Sequence, residues 1–314
     1  MADRLVTVFG GSGFIGRHLV QRLAAKGYRV RVAVRRPNEA MFLKPLGAVG
    51  QIQLMQANVR DAASVKAAVS GAEAVVNLVG ILYETGAQKF AALQDEGAGL
   101  IAEAAAAAGV GRLVHLSALG ADAASSARYA RTKARGEARV KAAYPAAVIF
   151  RPSVVFGPDD GFYNRFAGLA KMLWVLPLIG GDTKFQPVYV GDVADAIMAA
   201  LESPAAAGQT YELGGPTIYT LRQVYEYVFQ EIGVARPLIP LPFFAAKILA
   251  FFLQILPTPP LTVDQVRLLA RDNVVTGTGG LTTLGIAPTP AESIAPTYLK
   301  RYRKLGQFAR PSAE

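Results

Sequence analysis

The stretch that decides the fold is Leu5-Val6-Thr7-Val8-Phe9-Gly10-Gly11-Ser12-Gly13-Phe14-Ile15-Gly16. A short β-favouring run leads directly into glycines at 10, 13 and 16 and then into a helical pattern. Such a loop needs glycine where the chain turns, where backbone approaches a pyrophosphate and where helix packs on strand. The helix N-terminus then faces the anion. We therefore predict a dinucleotide loop whose cofactor-binding residues are Gly10, Ser12, Gly13, Phe14, Ile15 and Gly16; an ordinary tight turn is the alternative.

From this loop outward, short β-rich runs alternate with longer Ala-rich helical runs. The pattern predicts strands at 5–9, 29–34, 51–55, 73–78, 112–117 and 147–151. It predicts helices that include 14–26, 62–70, 90–108 and 127–142. Alternating strands and helices indicate a Rossmann-like, doubly wound parallel sheet. The fold class is therefore α/β, with a smaller and mostly helical C-terminal domain.

The second half of the chain is less regular and divides the domains. We expect residues 1–155, with a returning segment at about 185–215, to form the dinucleotide-binding domain. The strand-like runs at 188–190 and 210–213 are expected to be short strands that return to this first domain. Residues 156–184 and 216–299 would form a small substrate-like or docking domain, and 300–314 a basic tail.

Composition excludes several classes of protein. The 314 residues are 52% hydrophobic and only 18% charged, which excludes a disordered or fibrous chain. The absence of cysteine excludes disulfides, thiolate zinc sites, iron–sulfur clusters and cysteine nucleophiles. His18 and His115 are the only histidines, too few for most metal sites or a Ser-His-Asp triad. We predict no metal site.

The formal charge of +10 is concentrated at the two ends of the chain. Residues 1–44 carry nine cations and two acids, residues 300–314 carry five cations and one acid, and the long middle is almost neutral. A nucleic-acid binder usually distributes cations along a groove with aromatic platforms between them. We therefore expect no nucleic-acid partner, and two local anion sites instead.

The end of the second strand indicates which dinucleotide is preferred. An NAD site usually has Asp or Glu about 20 residues past the glycines, whereas Arg there accommodates a 2′-phosphate. This chain has Val34-Arg35-Arg36-Pro37, with no carboxylate until Glu39. NADP(H) is therefore favoured, with Arg35 or Arg36 on the 2′-phosphate; a solvated basic turn is the alternative.

Polar positions after later strands complete the predicted cofactor edge. Asn58 and Val59 follow the third strand, where Asn58 is placed to edge the adenine. Asp61 is predicted to cap the helix beginning at 62, and Asp192 the helix predicted at 193–201.

A candidate catalytic trio follows the fifth strand. Tyr129 and Lys133 are four residues apart, on one face of a predicted helix. A tyrosine titrates near pH 10, so proton transfer at neutral pH needs a cation that favours the phenolate, which Lys133 would supply. Ser117 lies at the C-terminal end of the strand, where open α/β sheets bind ligands.

These residues resemble the short-chain dehydrogenase/reductase superfamily in its extended or atypical branch. The resemblance rests on the glycine loop, Asn77-Leu78-Val79-Gly80, the Tyr129 and Lys133 pair, and Arg151-Pro152-Ser153. It implies hydride transfer at a nicotinamide, with Tyr129 as acid/base, Lys133 also holding the nicotinamide ribose and Ser117 orienting substrate. It adds Leu78, Val79, Gly80 and Pro152 to the cofactor-binding residues. Lys133 can equally bind cofactor, and Tyr129 can pack, without turnover.

A narrower resemblance covers nearly the whole chain. The segments that carry it are Ser126-Ala127-Arg128-Tyr129, Phe156-Gly157, Lys184 to Val190 with Asp192-Val193, and Leu284-Gly285-Ile286 with Pro288 to Pro290. They look like the NADPH-binding accessory subunit of respiratory complex I, NADH:ubiquinone oxidoreductase. That family implies tightly held NADPH on the peripheral arm, near the quinone site and outside the main electron path. The Ser117, Tyr129 and Lys133 trio is intact, so enzymatic turnover is left open.

We therefore expect an accessory or stabilising subunit of bacterial complex I whose partners are other complex I subunits. The alternative is a free-standing NADP-dependent reductase, epimerase or dehydratase. The first strand begins at Leu5 without room for a leader, which indicates either a bacterial, cytosolic chain or a mature form whose leader has been removed. The expected location is peripheral, on the cytoplasmic side of the bacterial inner membrane.

Two segments are candidates for contact with a membrane surface. Residues 243–256 are strongly apolar between flanking prolines, but as a helix they reach only about 21 Å, short of a bilayer core of about 30 Å. This segment is either a core helix of the second domain or an interfacial one. The basic tail at 300–310 would attract anionic head groups or an acidic partner, or be a solvated face.

Overall fold

The structure, a computed structural model, describes residues 4–277, 280–304 and 306. It divides into two compact units. The first comprises the described residues of Met1–Pro152, Gly191–Leu213 and Gly277–Ala287. The second comprises those of Ser153–Val190, Gly214–Thr276 and Pro288–Glu314.

Thirteen strands and ten α-helices are found in the described residues. The strands are β1 Leu5–Phe9, β2 Arg29–Val34, β3 Ile52–Gln56, β4 Ala74–Asn77, β5 Arg112–Leu116, β6 Val148–Pro152, β7 Val155–Phe156, β8 Leu176–Leu178, β9 Lys184–Phe185, β10 Val188–Tyr189, β11 Thr210–Leu213, β12 Tyr219–Thr220 and β13 Leu238–Pro240. The helices are α1 Phe14–Ala25, α2 Ala62–Val69, α3 Gly97–Ala107, α4 Arg128–Ala143, α5 Tyr163–Met172, α6 Val190–Glu202, α7 Leu221–Ile232, α8 Phe243–Leu253, α9 Val263–Leu268 and α10 Ala291–Leu299. A 3₁₀ helix spans Pro37–Leu46, and a π-helix at Ala91–Glu96 leads into α3.

The first unit is built on a seven-stranded parallel sheet in the order β11-β6-β5-β4-β1-β2-β3. All four residues of β4 are buried, as expected of a strand covered on both faces. The α/β, Rossmann-like fold class predicted from the sequence is confirmed. The six predicted strands of the first half end within one residue of the observed ones.

Covering helices complete the core of the first unit. Small residues of α3, including Ala98, Ala102 and Ala105, pack with Val65 of α2 and Val75 of β4. Alanine-rich faces let these helices lie close to the sheet without voids. The helix predicted at 90–108 begins instead with the π-helix, a feature that hydrophobic spacing does not reveal.

The return of the chain to this sheet differs in part from expectation. Thr210–Leu213 does pair with β6, as β11. Val188–Tyr189, however, forms β10 and pairs with β7 inside the second unit. The first unit also takes in Gly277–Ala287, where Gly277 N donates to Glu212 Oε2 at 3.2 Å. Helix α6 starts at Val190, so Asp192 lies in its first turn rather than at its N-cap.

The second unit is smaller and mostly helical, as predicted. Three two-stranded ladders, β7 with β10, β8 with β13 and β9 with β12, accompany α5 and α7 to α10. Its main core joins Tyr163 of α5, Val228 of α7 and Leu299 of α10. At the start of α5, Asp160 accepts bonds from Phe162 N at 2.9 Å and Asn164 N at 3.0 Å, and from Tyr298 Oη at 2.6 Å.

Helix α8, within the candidate segment 243–256, has an unusual burial pattern. It buries Ala246 and Ala250, which pack with Ile179 and Val266. Most of its large apolar side chains and those just beyond it are exposed, namely Phe244, Ile248, Leu249, Phe251, Phe252, Ile255 and Leu256. Of the two readings of this segment, the interfacial one fits the exposure. Within the described residues, no helix combines the length and hydrophobicity that crossing a membrane requires.

The basic tail is only partly within the described residues, because 305 and 307–314 lie outside them. Arg301 donates to Asn164 Oδ1 at 2.7 Å, and Arg303 donates to Glu231 O at 2.7 Å. These two cations therefore hold the tail to the second unit. Lys300 and Lys304 are exposed.

Candidate functional site: a dinucleotide cradle with a Ser-Tyr-Lys trio

The glycine loop has the geometry of a cradle that side chains would fill. Gly10 adopts φ +78°, and a Cβ there would stand 3.1 Å from the carbonyl carbon of Leu78. A Cβ on Gly16 would stand 2.4 Å from Gly10 O. Both positions therefore require glycine, the first for conformation and proximity and the second for helix packing. The residues present fit a dinucleotide.

The N-terminus of α1 opens into this loop. Gly13 is the N-cap, provides no side-chain cap, and no acidic residue lies in the first turn. The first N–H groups of a helix lack intrahelical partners and bear partial positive charge. Ser12, Phe14 and Ile15 line this opening and are partly exposed. The arrangement suits a pyrophosphate.

The basic pair after β2 lies at the same edge of the sheet. Arg35 and Arg36 are both exposed. Arg36 Nη1 donates to Glu39 Oε1 at 2.8 Å, so the two arginines have different surroundings. The hydrogen bond to Glu39, together with the negative charge of that carboxylate, raises the pKa of Arg36.

Asn58 organises a turn as well as the edge of the site. Its Oδ1 accepts from Arg60 N at 3.2 Å, and its backbone N donates to Ser64 Oγ at 3.0 Å. Val59 is buried. Asp61 accepts from Ala63 N at 3.1 Å, which confirms it as the N-cap of α2.

The segment after β4 connects the loop to the trio. Leu78 N donates to Phe9 O at 2.9 Å, and Val79 N donates to Asn77 Oδ1 at 3.0 Å. Gly80 is exposed, and a Cβ there would stand 3.4 Å from Lys133 Nζ. Leu78, Val79 and Gly80 thus run between the glycine loop and the lysine.

The structure brings the three trio residues to one place. Lys133 Nζ lies 6.0 Å from the centroid of the Tyr129 ring and donates to Leu116 O at 3.1 Å. That carbonyl immediately precedes Ser117, whose Oγ is buried and makes no hydrogen bond among the described residues. A buried hydroxyl of this kind is a candidate contact for a bound molecule.

Burial controls the titration of both ionisable members. It lowers the pKa of Lys133 to about 8, against a smaller opposing effect of Glu137. It raises the pKa of Tyr129 to about 12. The protein by itself therefore keeps the phenol protonated at neutral pH. Any proton transfer by Tyr129 requires an additional stabilisation of its phenolate.

Several residues that support the trio were missed by the sequence analysis. Gln94, on the π-helix, accepts from Thr132 Oγ1 at 3.1 Å and donates to Ile81 O at 2.7 Å. A Cβ on Gly136 would stand 2.0 Å from Gln94 O, so α4 and the π-helix touch through their backbones. A glycine inside a helical pattern was the available signal for that close approach.

Asn77 and His115 form a second buried polar pair. Asn77 Oδ1 is held by Val79 N, so Nδ2 faces His115 Nδ1 at 3.1 Å and donates to it. This assigns the imidazole hydrogen to Nε2, which is buried without a partner among the described residues. Burial lowers the pKa of His115 to about 3, so the ring is neutral.

The end of β6 is connected to α4, the helix that carries Tyr129 and Lys133. Arg151 forms a two-pronged ion pair with Glu137, with Nε to Oε1 at 2.9 Å and Nη2 to Oε2 at 2.6 Å. Pro152 is buried, and its carbonyl accepts from Leu119 N at 2.9 Å. Across residues 4–277, 280–304 and 306, no group of three or more His, Cys, Asp or Glu side chains is arranged to hold a metal ion.

The parallel sheet, glycine loop and trio define a dinucleotide-binding protein of the short-chain dehydrogenase/reductase class. Residues 6–214 match the NAD dependent epimerase/dehydratase family, and the chain belongs to that family. The cofactor class is therefore a nicotinamide dinucleotide. The family resemblance seen in the sequence is confirmed.

Similar proteins include two mitochondrial subunits. Over 316 residues the chain is 37% identical to NADH dehydrogenase (ubiquinone) 1 alpha subcomplex subunit 9 of Arabidopsis thaliana, covering 96% of this chain and 79% of that one. It is 36% identical to the protein of the same name from Mus musculus, covering 95% and 80%. The structure of Citrobacter sp. triphenylmethane reductase complexed with NADP(H) superposes with a TM-score of 0.74 at 16% identity, covering 93% and 99%. That likeness concerns the fold alone.

Proposed function

We propose that this protein is an NADP(H)-binding accessory subunit of bacterial respiratory complex I, stabilising the peripheral arm near the quinone site. The observation that carries the proposal is similarity at 36–37% identity, over at least 95% of this chain, to proteins named as subunits of NADH dehydrogenase (ubiquinone). The family match ends at residue 214 and so leaves out most of the second unit. The similarity to these subunits extends past that point and includes the second unit. Its partners are then other complex I subunits.

The cofactor in this proposal is NADP(H) rather than NAD(H). Arg35 is exposed at the end of β2 and supports an interaction with the 2′-phosphate. When bound, the dinucleotide supplies a nicotinamide that can donate or accept hydride. Lys133 would hold the nicotinamide ribose, Ser117 would contribute its buried hydroxyl, and Tyr129 would hold a proton at Oη.

The exposed face of α8 supports a peripheral membrane location for the second unit. Phe244, Ile248, Phe251 and Phe252 project apolar surface that the unit itself does not cover. Exposed apolar surface of this size marks sites of protein or membrane contact. Lys300 and Lys304 would add attraction to anionic head groups, about 1 kcal/mol each near such a surface. We assign the cytoplasmic side of the bacterial inner membrane.

Purification in its native setting tests the proposal. Tagged full-length protein is isolated from gently solubilised membranes, and its companions and extracted nucleotides are identified. We expect complex I subunits and NADP(H). Recovery without any complex I subunit would overturn the assignment. The Tyr129→Phe protein is the matched control, because loss of chemistry should not change the companions.

A free-standing NADP-dependent reductase, epimerase or dehydratase is the second candidate. The buried hydroxyl of Ser117, which has no hydrogen-bond partner among the described residues and lies beside Lys133 and Tyr129, favours it. Incubation with NADPH and a panel of carbonyl compounds, quinones and nucleotide sugars tests it. NADPH oxidation that is abolished by Tyr129→Phe would support an enzyme, and no oxidation with any compound would argue against one.

A further inference from the structure

The corner of the site where a 2′-phosphate or 2′-hydroxyl would lie is formed by two neighbouring strands. β1 and β2 pair in parallel, with Phe9 opposite Ala33. The glycine loop after β1 and the arginines after β2 therefore leave the sheet at the same carboxyl edge. The 3₁₀ helix at 37–46 follows directly, and Arg17 of α1 stacks over its Phe42 ring at 5.6 Å. This corner therefore joins the elements that would contact the adenosine end of a bound dinucleotide.

A carboxylate stands inside this basic corner. Glu39 Oε1 accepts from Arg36 Nη1 at 2.8 Å, and Glu39 N donates to Arg36 O at 3.1 Å. The two side chains are 76% and 68% exposed, so the pair faces solvent and is open to a ligand. Arg35 is exposed and forms no ion pair or hydrogen bond with any residue in 4–277, 280–304 or 306.

Arg35 and Arg36 therefore differ in what each must give up to bind a phosphate. Arg35 can approach a phosphate without losing an existing contact. Arg36 must leave Glu39, and the carboxylate left behind repels a phosphate that carries close to two negative charges. The same carboxylate can accept a hydrogen bond from a ribose 2′-hydroxyl when no phosphate is present.

We propose that Glu39 is a specificity-determining residue: its carboxylate favours the ribose 2′-hydroxyl of NAD(H) and opposes the 2′-phosphate of NADP(H), while Arg35 binds that phosphate. The preference for NADP(H) is then set by Arg35 and limited by Glu39. This inference rests on the dinucleotide binding proposed above.

Calorimetric titration of the full chain with NADPH and with NADH tests the inference. In Glu39→Gln the amide cannot repel phosphate, and Arg36 is released. Because an exposed ion pair is weak, we expect NADPH to bind about two- to fivefold more tightly. NADH should bind about two- to fivefold more weakly, because a charge-assisted hydrogen bond is replaced by a neutral one. The gain for NADPH should shrink as salt is added.

Glu73→Gln is the matched control. Glu73 pairs with Arg4 at 3.0 Å, also exposed, but immediately precedes β4 at the opposite edge of the same sheet. Both affinities should be unchanged in this variant. If the affinities for both dinucleotides change equally in Glu39→Gln, or if NADPH binds more weakly, the proposed role of Glu39 is wrong. The cofactor assignment itself would then still stand. Failure of the wild-type protein to bind either dinucleotide would overturn the cofactor assignment together with it.

Discussion

Lys133 donates a hydrogen bond to the backbone carbonyl of Leu116, with 3.1 Å between Nζ and O. The bond fixes the ammonium at the end of β5, one residue before Ser117. It also lies close to Gly80, where an added Cβ would be 3.4 Å from Nζ. The nearby carboxylate of Glu137 is already held by Arg151. The buried Lys133 ammonium is thus kept near Ser117 and Tyr129 with little compensating negative charge, and burial therefore lowers its pKa.

Replacement of Lys133 by Met should stabilise the protein while weakening cofactor binding. The pKa of Lys133 is about 8 when folded and 10.5 when exposed, so burial disfavours the charged form. Removing that charge should raise the free energy of unfolding at pH 7 by about 1–3 kcal/mol. Denaturant unfolding and NADPH titration measure the two effects.

The stability advantage of Lys133→Met over wild type should shrink as pH rises from about 8 to 10.5, because the wild-type protein loses the cost of the buried charge there. In that window the unfolded chain binds the Lys133 proton and the folded chain does not. Lys141→Met, on the exposed face of the same helix, should change stability by no more than about 0.5 kcal/mol. A Lys133→Met protein no more stable than wild type would contradict the burial cost.

Gly16→Ala should weaken dinucleotide binding strongly. Its Cβ would meet backbone atoms of Gly10 and Gly11 at 2.4–2.6 Å, so the loop or α1 must move. We expect at least about a tenfold loss of NADPH affinity, because the shift disturbs the helix terminus that meets the pyrophosphate. Gly168→Ala, inside α5 with open space around it, should stabilise by about 0.5–1 kcal/mol and leave binding intact. Unchanged NADPH affinity in Gly16→Ala would refute the cradle.

Ser117→Ala should leave stability unchanged or slightly higher. The hydroxyl is buried and unpartnered within the described residues, so its removal relieves a desolvation cost. Thr7→Val is the contrast, since Thr7 Oγ1 donates to Ala68 O at 2.8 Å in the core. That variant should lose about 1 kcal/mol. Thermal unfolding of the two variants measures these changes in stability. A clear loss of stability in Ser117→Ala would mean that the hydroxyl has a structural partner.

The double variant Phe251→Ser with Phe252→Ser should detach the second unit from lipid. Both rings are exposed, and each fully buried aromatic side chain contributes about 1.5–3 kcal/mol. Sedimentation with vesicles of anionic and neutral phospholipid should show at least about a tenfold weaker association. Val49→Ser with Leu82→Ser removes apolar residues that are at least as exposed from the first unit, and this variant should sediment like wild type. No vesicle association by wild type would exclude lipid as the partner of α8.

The first half of the fold could be predicted because its signals are local. Alternating hydrophobic runs located β1 to β6, and Asp61 marked the start of α2. The path of Val188–Tyr189 could not be predicted, because a two-residue strand pairs with whichever edge the tertiary fold presents. The π-helix could not be predicted for a related reason. It accompanies the close approach of Gln94 to Gly136, which lies 42 positions later in the sequence.

The sequence by itself determined the strand, glycine loop and helix at 5–25, because the loop needs residues without a Cβ at fixed spacing and both flanking elements are encoded locally. It also named Ser117, Tyr129 and Lys133. Only the tertiary structure decided that Lys133 is buried against Leu116 O, that Glu39 engages one arginine of the pair, and that α8 buries alanines and exposes phenylalanines. These outcomes depend on which atoms from distant segments meet, and on how closely neighbouring elements pack.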